Sequence, residues 1–299
     1  MFNEKIIEKI KRNKILYLCF KPLGKLYDFL IYLPSLPIRI KKWRTYTILP
    51  ILRRLFPNRE RKKIKSYHNI HQGKRIFIIA SGPSVRMEDV DKLKDEIVIV
   101  LNGSILLFEK LEWEPKYYCV SDSEVIEKFM HEVGKYSIDA SFVGFSNRKI
   151  MRKYHTNVVF YDEYMRDTLF PFNIKRVKKH MAFSDDLYKY GVYMGGRSIT
   201  TAAVQLAAYM GATEIYLYGT DCDYQSAGNH FYDANEADAI PLDDTTFTAA
   251  MFAFFSHAQK VSENCDFKIY NATRGGKLEI FTRKNFDDIE FEENNDKEN

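Results

Sequence analysis

The sequence has few cysteines, and their spacing is unlike that of a metal site or a redox pair. The four cysteines among its 299 residues, Cys19, Cys119, Cys222 and Cys265, lie far apart, with no C-x-x-C pair and no His/Cys cluster. We therefore expect free thiols in a reducing compartment rather than a disulfide framework. The pattern predicts no metal site.

Three further signals are missing, and each absence excludes a class of protein. No run approaches the roughly 18 apolar residues that mark a transmembrane helix. The charged first residues are not followed by an apolar segment with a small-residue cleavage site, so no secretory signal is predicted. Neither G-x-G-x-x-G nor G-x-x-x-x-G-K-[ST] occurs, which excludes the dinucleotide fingerprint and the P-loop.

Acidic residues are scarce in the first quarter of the chain. Residues 1–75 hold 20 Lys and Arg against 4 Asp and Glu, whereas residues 76–299 hold 25 against 36. Short aromatic and aliphatic runs separate the basic clusters of residues 1–72, which we interpret as a basic amphipathic segment lying on an anionic membrane surface. Packing on the core or on a second subunit is the alternative. Nucleic acid ranks lower because aliphatic runs outnumber isolated aromatics.

The remainder of the chain alternates between apolar strands and helical patterns. The apolar runs are residues 76–80, 97–101, 117–120, 140–145, 158–161, 213–218 and 267–271. After a linker at residues 69–73, we predict one α/β domain over residues 73–285 with a Rossmann-like, doubly wound, mostly parallel sheet. Residues 164–192 are irregular and aromatic, as in a lid or small subdomain. Residues 286–299 are predicted to form an acidic disordered tail.

The stretch from Tyr193 to Tyr224 has the pattern of an anion-binding helix. Gly196 and Arg197 precede a helical spacing of apolar residues that runs from Ile199 to Met210. The first turn of a helix leaves N–H groups unpaired at the positive end of the dipole, so this end favours a nucleotide phosphate. An ordinary capped helix with a surface arginine is the alternative.

Polar residues follow four of the predicted strands. They are Ser81-Gly82-Pro83-Ser84, Asn102-Gly103, Ser121-Asp122-Ser123 and Gly219-Thr220-Asp221. Open α/β sheets bind ligands outside the carboxyl ends of their strands, where the strand order reverses. We therefore expect these tips to meet in one cleft with the Arg197 end of the helix. A single strand-end Asn or Asp is more often a turn former, and their convergence favours a ligand role for Asn102 and Asp122.

These residues resemble bacterial proteins grouped as 6-hydroxymethylpterin diphosphokinase-like, which include motility-associated glycosyltransferases that modify flagellin. The resemblance lies in strand-S-G-P-S, N-G, S-D-S and G-G-R-S-I-T-T-A-A-V-Q-L-A-A-Y-M-G-A-T-E-I-Y-L-Y-G-T-D, within residues 75–275. The skeleton is also similar to the family-42 sialyltransferases, which share strand-G-P-S, an Asn after the second strand and R-I-T-S before a small-residue helix. The resemblance implies a Rossmann-like fold with a nucleotide ligand, a CMP-activated sugar in the transferases and ATP in the diphosphokinases.

The resemblance also implies roles for single residues. It implies that Gly82, Pro83, Ser84, Asn102, Asp122, Thr200 and Thr201 bind the ligand. The helix end and the polar strand end add Gly196, Ser198 and Asp221 to the predicted binding set. Arg197 and Tyr224 would support the departing phosphate, and Ser198 is inserted relative to R-I-T-S. The transferases have Asn where Asp122 stands. They also have a catalytic histidine near residues 244–249, where this sequence has none.

His230, in the loop after the Asp221 strand, is the remaining candidate for the catalytic base. An imidazole titrates near neutral pH and can take the proton of an acceptor hydroxyl. A loop histidine without a catalytic role is the alternative. Asp221-Cys222-Asp223 matches the D-x-D pair that holds a divalent ion in other transferases, which is a weak signal.

Together these features predict a glycosyltransferase that moves a sugar onto a cell-envelope glycan or glycolipid, with a nonulosonic (sialic) acid from a CMP donor as the first guess. Such transfer requires no metal cofactor. The alternatives are an ATP- and Mg²⁺-dependent diphosphokinase, with Asp122, Asp221 and Asp223 around the metal, and a non-catalytic nucleotide-binding subunit. The expected partners are a nucleotide-sugar donor, a glycan or lipid-linked acceptor and an anionic membrane surface. Nucleic acid is not expected as a partner, and the sequence leaves open whether the chain forms a homo-oligomer. The expected location is cytoplasmic, peripheral on the inner face of a bacterial membrane.

Overall fold

The fold is organised around one sheet of eight parallel strands. The computed structural model describes residues 41, 44–164, 183–223, 230–232 and 245–291. The sheet contains β1 Arg75–Ile79, β2 Ile97–Leu101, β3 Tyr117–Val120, β4 Ala140–Gly144, β5 Val158–Tyr161, β8 Glu214–Tyr218, β9 Lys268–Asn271 and β10 Thr282–Arg283. A separate parallel pair contains β6 Glu163–Tyr164 and β7 Val192–Tyr193. The seven predicted strands are present, and the three two-residue strands β6, β7 and β10 were not predicted.

The strand order identifies where a ligand is expected. The order is β10-β9-β8-β1-β2-β3-β4-β5, with every neighbouring pair parallel. The chain lays down β1 to β5 in one direction, returns to the other side of β1, and continues outward from β8. The order therefore reverses between β1 and β8, which is the position at which open α/β sheets bind ligands. The predicted doubly wound fold is confirmed.

Helices cover both faces of the sheet. The helices are α1 Leu49–Leu55, α2 Arg59–Lys62, α3 Met87–Asp91, α4 Ser123–Val133, α5 Arg148–Met151, α6 Leu187–Tyr190, α7 Ile199–Tyr209 and α8 Thr245–Ser262. Shorter 3-10 segments are Lys63–Tyr67, Asn102–Lys110, Phe145–Asn147 and Phe286–Asp288, and a π-helix Arg44–Ile48 precedes α1. Along β1, Ile76 and Ile78 pack toward α7 and α8, whereas Phe77 and Ile79 pack toward α3 and α4. Because both faces are buried, the strands are continuously apolar rather than alternating.

Gln205, in the middle of α7, is fully buried and uses its whole hydrogen-bonding capacity. Its Oε1 accepts from the backbone N–H groups of Ser184 and Tyr193, at 3.0 Å each. Its Nε2 donates to the carbonyls of Tyr193 and Thr201, at 3.0 and 2.9 Å. One side chain thus ties the segment containing α6 and β7 to α7. This segment belongs to the region predicted to be irregular, of which residues 165–182 lie outside the described residues.

We expect Gln205→Leu to destabilise the protein, because it leaves the N–H groups of Ser184 and Tyr193 buried without acceptors. Each such group costs roughly 1–3 kcal/mol. Gln72→Leu is the matched control, since Gln72 is exposed; its change should stay within about 0.5 kcal/mol. Denaturant unfolding of both variants measures the difference, and equal midpoints would contradict this account of Gln205.

Residues 58–73 belong to the packed domain. The N–H groups of Asn69 and His71 donate to the carbonyls of Tyr209 and Met210 at the end of α7, at 3.0 and 2.8 Å, and Ile64 is buried. The predicted linker at residues 69–73 is therefore wrong, since these residues are hydrogen-bonded into the fold. The membrane role of residues 1–72 stays a prediction, and residues 1–40, 42 and 43 lie outside the described ones. None of the described helices has the length and apolarity needed to cross a membrane.

Part of the positive charge of this segment is neutralised inside the protein. Asp162, directly after β5, is buried, with Arg53 Nε 2.5 Å from its Oδ1 and Arg61 Nε 2.8 Å from its Oδ2. Arg54 also points inward and donates to the carbonyl of Tyr190. Burial lowers the pKa of the Arg54 guanidinium, although the nearby Asp162 opposes the shift. These arginines therefore serve the fold rather than a distant polyanion.

The first residues of the predicted tail are also packed. Phe286 is buried against Tyr218 on β8, with ring centroids 4.8 Å apart. Phe291 lies 6.0 Å from the ring of Phe77 on β1. The boundary predicted at residue 286 is therefore placed too early, because residues 286–291 complete one face of the core. Residues 292–299 of the predicted tail lie outside the described residues.

Candidate functional site

A cleft opens at the carboxyl edge of the sheet, where the strand order reverses. Its volume is about 560 Å³, which lies within the range of small-molecule sites. The structure places nine of the predicted site residues on its walls: Gly82, Pro83, Asn102, Asp122, Arg197, Ser198, Thr200, Asp221 and His230. Ser84, Gly196 and Thr201 are not on these walls, and Tyr224 lies outside the described residues. The four polar strand ends therefore meet, as expected, while the role of each residue stays a prediction.

Gly82 and Asp221 form the junction between the ends of β1 and β8. The Gly82 N–H donates to the Gly219 carbonyl at 2.9 Å. A Cβ at position 82 would overlap both Asp221 Oδ2 and the Gly219 carbonyl oxygen. Ser84 supports the carboxylate from behind, since its hydroxyl donates to Asp221 Oδ2 at 2.9 Å. The S-G-P-S turn thus needs glycine because the Asp221 loop comes this close.

Asp221 is buried, and burial disfavours the charged form of its carboxyl group. It is 8% exposed, and this burial raises the pKa of its carboxyl group despite the opposing hydrogen bond from Ser84. Because the folded protein holds this proton more tightly than the unfolded chain, the free energy of unfolding falls as pH rises through the native pKa of Asp221. A protein retains such a cost more readily at a functional position than elsewhere.

We expect Asp221→Asn to stabilise the protein at neutral pH and to weaken nucleotide binding. The amide oxygen can still accept from Ser84, and the pH-dependent loss of stability disappears. The gain over the natural protein should therefore grow as pH rises from the ordinary range of an aspartate through the raised native pKa of Asp221. Thermal unfolding across this range measures the gain. A stability difference that does not change with pH would show that Asp221 does not titrate in this way.

Unpaired polar atoms and unusual backbone conformations mark the walls of the cleft. Asn102 Oδ1 and Thr220 Oγ1 are buried and have no hydrogen-bond partner among the described residues, which is a costly state without a ligand. Three of the four non-glycine residues with positive φ in the described part of the chain lie here: Asn102 at 48°, Arg197 at 58° and Cys222 at 53°. Each costs on the order of 1–3 kcal/mol, and such strain clusters at functional sites. A polar ligand would satisfy these atoms.

The amino terminus of α7 faces this cleft. Ser198 is the N-cap and accepts from the Thr200 N–H at 3.3 Å. The Thr201 hydroxyl is used internally, because it donates to the Ser198 carbonyl at 2.6 Å. A Cβ at Gly196 would press against Thr201 and Phe254. Gly196 and Thr201 therefore shape the helix start from behind, and the direct contact of these two residues with a ligand stays a prediction.

His230 is held against the end of β1. Its Nδ1 lies 2.8 Å from Ser81 Oγ, and the Phe231 N–H donates to the Ser81 carbonyl at 3.0 Å. The Tyr232 ring stacks on the imidazole, with centroids 5.0 Å apart and an angle of 9° between the planes. Lys128 on α4 lies 5.6 Å from the centre of the Tyr232 ring. Residues 230–232 are thus fixed on the cleft by contacts with the sheet and α4.

The sequence analysis missed two of these wall residues. Tyr232 packs over Gly103, where any Cβ would overlap the Tyr232 ring. Lys128 brings a cation to the same wall. Gly103 directly follows Asn102, which was predicted to bind the ligand. A glycine at this position was a sign in the sequence that another group packs closely against this strand end. Nothing in the local pattern of residues 123–133 distinguishes Lys128 from the other charges of an exposed helix face.

The three carboxylates proposed for a metal already have protein partners. Asp122 caps α4 and accepts from the N–H groups of Glu124 and Val125, at 2.8 and 3.4 Å. Asp221 accepts from Ser84, and Asp223 pairs with Lys277 at 2.8 Å. Within the described ranges, no three His, Cys, Asp or Glu side chains are grouped so that they could hold a metal ion. The arrangement does not fit Mg²⁺ as it stands, and Asp122 has the capping role that is ordinary for a strand-end aspartate.

Comparisons with known proteins show one family match. The family model described as 6-hydroxymethylpterin diphosphokinase MptE-like matches residues 50–227. No curated protein matches the sequence. Among solved structures, the MAf glycosyltransferase from Magnetospirillum magneticum AMB-1 is similar with a TM-score of 0.47 and 14% identity, over 78% of this chain and 39% of that chain. The chain therefore spans well under half the length of that protein. The family match begins at α1, inside the segment that the sequence analysis had separated from the domain.

Proposed function

Because the chain belongs to the 6-hydroxymethylpterin diphosphokinase MptE-like family, we propose that its cleft binds a nucleotide-activated sugar and that it is a glycosyltransferase. The acceptor is a cell-envelope glycan or a lipid-linked glycan. The observation that carries the proposal is that His230, engaged at Nδ1 by Ser81, and the amino terminus of α7 line one cleft. Such a transfer needs a general base that deprotonates the acceptor hydroxyl and an electropositive site that binds the leaving phosphate.

The proposed reaction is a single displacement at the anomeric carbon. In the proposed tautomer, Ser81 Oγ accepts a hydrogen bond from the Nδ1–H of His230. His230 Nε2 then takes the proton from the acceptor hydroxyl as that oxygen attacks the anomeric carbon. The bond from this carbon to the phosphate oxygen breaks, and the nucleotide leaves with the electron pair. Arg197 and the first N–H groups of α7 stabilise the developing charge. Tyr224, outside the described residues, is proposed from the sequence as a further donor to this phosphate.

The donor is proposed to be a CMP-linked nonulosonic acid. Its leaving group is a nucleoside monophosphate that already carries a stable charge, so the reaction does not require a metal. In support of this donor, the carboxylates of Asp221, Asp223 and Asp122 are engaged by Ser84, Lys277 and the N–H groups of α4, respectively. Among the described residues that line the cleft, the basic side chains are those of Arg197 and Lys128. A nucleoside diphosphate donor would call for more positive charge than these two supply.

The second candidate is an ATP- and Mg²⁺-dependent diphosphokinase, the activity in the description of the family. The specific observation in its favour is that Asp122, Asp221 and Asp223 all line the cleft. For this reaction, Mg²⁺ would have to displace the partners that these carboxylates now have. A nucleotide-binding subunit without catalytic activity is the remaining alternative.

Thermal shifts with CMP, CDP, UDP and ATP, each with and without Mg²⁺, test the proposal. We expect CMP to stabilise the protein without metal, by about 2.7 kcal/mol at a concentration of one hundred times its Kd. Stabilisation by ATP only with Mg²⁺ would favour the diphosphokinase. CMP stabilisation without release of CMP from a CMP-sugar would favour the binding subunit, and no response to any nucleotide would overturn all three.

A further inference from the structure

The exposed apolar side chains of this protein are concentrated on one short helix. Five large apolar residues are exposed in the described part of the chain, and four of them are Ile51, Leu52, Leu55 and Phe56, with Phe56 76% exposed. The fifth, Ile70, lies near the opposite edge of the sheet. We refer to the four clustered side chains as the α1 face. A cluster of this kind on a soluble surface marks a site of interaction.

The helix that carries the α1 face is anchored firmly on its other side. Arg53 binds the buried Asp162 at 2.5 Å, and its guanidinium lies 4.4 Å from the centre of the Phe145 ring. Arg54 donates to the Tyr190 carbonyl. The helix is therefore seated by its polar residues and turns its apolar residues outward, the reverse of the arrangement expected for a helix that covers the core.

Positive charge surrounds the α1 face. Arg59 and Lys62, one to two turns beyond Phe56, are exposed. The sequence has no acidic residue between Asp28 and Glu60, so no carboxylate lies within the twenty residues that precede the α1 face in sequence. Apolar side chains flanked by exposed cations match the interface of an anionic membrane, where the chains enter the headgroup boundary and the cations meet the lipid phosphates. A protein partner would need acidic groups around a matching apolar groove.

We propose that the α1 face is a docking surface for an anionic membrane. Docking is independent of the reaction in the cleft. Asp162 and Phe145 directly follow β5 and β4, so α1 lies at the same edge of the sheet as the cleft. Docking through the α1 face therefore keeps that edge close to lipid, which suits a lipid-linked acceptor. This last consequence alone rests on the proposed function.

The test uses the full chain with an environment-sensitive fluorophore on one introduced cysteine. The label is placed at Leu55→Cys on the α1 face or at Ile70→Cys as the matched control, since Ile70 is also exposed and apolar. Both variants carry Cys19→Ser and Cys265→Ser, so that the fluorophore reacts only with the introduced cysteine. Cys119 and Cys222 are kept because they are buried. Vesicles are made of phosphatidylcholine, with or without phosphatidylglycerol, and a second set carries brominated acyl chains that quench the label.

We expect the label at position 55 to shift to the blue and to be quenched by brominated chains only with vesicles that contain phosphatidylglycerol. The label at position 70 should not respond. No response at position 55 would overturn the proposal, and so would equal responses at both positions. A blue shift at position 55 that grows with protein concentration in the absence of vesicles would overturn it in favour of self-association. The CMP thermal shift of the labelled protein reports separately on the cleft.

Discussion

Replacing His230 with alanine is expected to lower the release of CMP from a CMP-sugar in the presence of acceptor by roughly 10²–10⁴-fold, the usual contribution of a general base. His230 is the imidazole that the structure places on the cleft wall, with Nδ1 engaged by Ser81. Nucleotide affinity should change little, because the phosphate seat at α7 is not altered. Steady-state kinetics and the CMP thermal shift of the same variant measure the two quantities.

Three comparisons make the His230 result specific. His155→Ala is the matched control, since His155 is exposed and does not line the cleft, and it should keep full turnover. Ser81→Ala should give an intermediate rate with an altered pH profile, because Ser81 positions the ring. The acidic limb of the rate–pH profile should disappear in His230→Ala. Full turnover in His230→Ala would remove this residue from the mechanism, even if CMP still binds.

The largest expected loss of stability follows from Asp162→Ala. Asp162 is buried between Arg53 and Arg61, at 2.5 and 2.8 Å, and Arg61 is itself buried. Removal of one partner from a buried pair leaves an uncompensated charge and costs about 3–5 kcal/mol. Denaturant unfolding at neutral pH measures the change. The sheet should weaken as a whole, because the pair joins the segment before β1 to the end of β5.

Glu60→Ala is the matched control for Asp162→Ala. It removes another carboxylate bound by an arginine, but the Glu60–Arg148 pair is more than a third exposed on both sides. Such pairs contribute about 0–1 kcal/mol. A double variant, Asp162→Leu with Arg61→Met, should recover much of the loss, since it removes both buried charges together. A loss below 1 kcal/mol in Asp162→Ala, or no recovery in the double variant, would contradict this account of the cluster.

The convergence of strand ends could be predicted because it depends on topology. Continuous apolar runs separated by helices require a parallel sheet, and parallel strands deliver the residues that follow them to one edge. The topology of the backbone therefore brings together Ser81–Ser84, Asn102 and Asp221, independently of the contacts that their side chains make. Which of them face the ligand could not be predicted. Ser84 turned behind Asp221, and Asp122 became a helix cap, because these outcomes depend on side-chain contacts across strands far apart in sequence.

The errors in the domain boundaries have a related cause. The basic charge of residues 1–72 indicated a surface segment. However, Arg53 and Arg61 point into the protein and bind the buried Asp162. Arg54 and Arg61 also donate to the carbonyls of Tyr190 and Tyr188, respectively. The acidic residues after position 285 suggested a disordered tail, although Phe286 packs on β8 and Phe291 packs on β1. Composition describes a segment alone and carries no information about a partner a hundred residues away.

Strand positions, the parallel sheet and the polar character of its carboxyl edge were determined by the order of apolar and polar residues alone, because these features follow from local periodicity and from burial on both faces. The tertiary structure alone decided the rest. It joined His230 to Ser81, left Asn102 Oδ1 without a partner among the described residues and turned the apolar side of α1 outward. Each of these outcomes depends on the groups that other elements bring to that point in space.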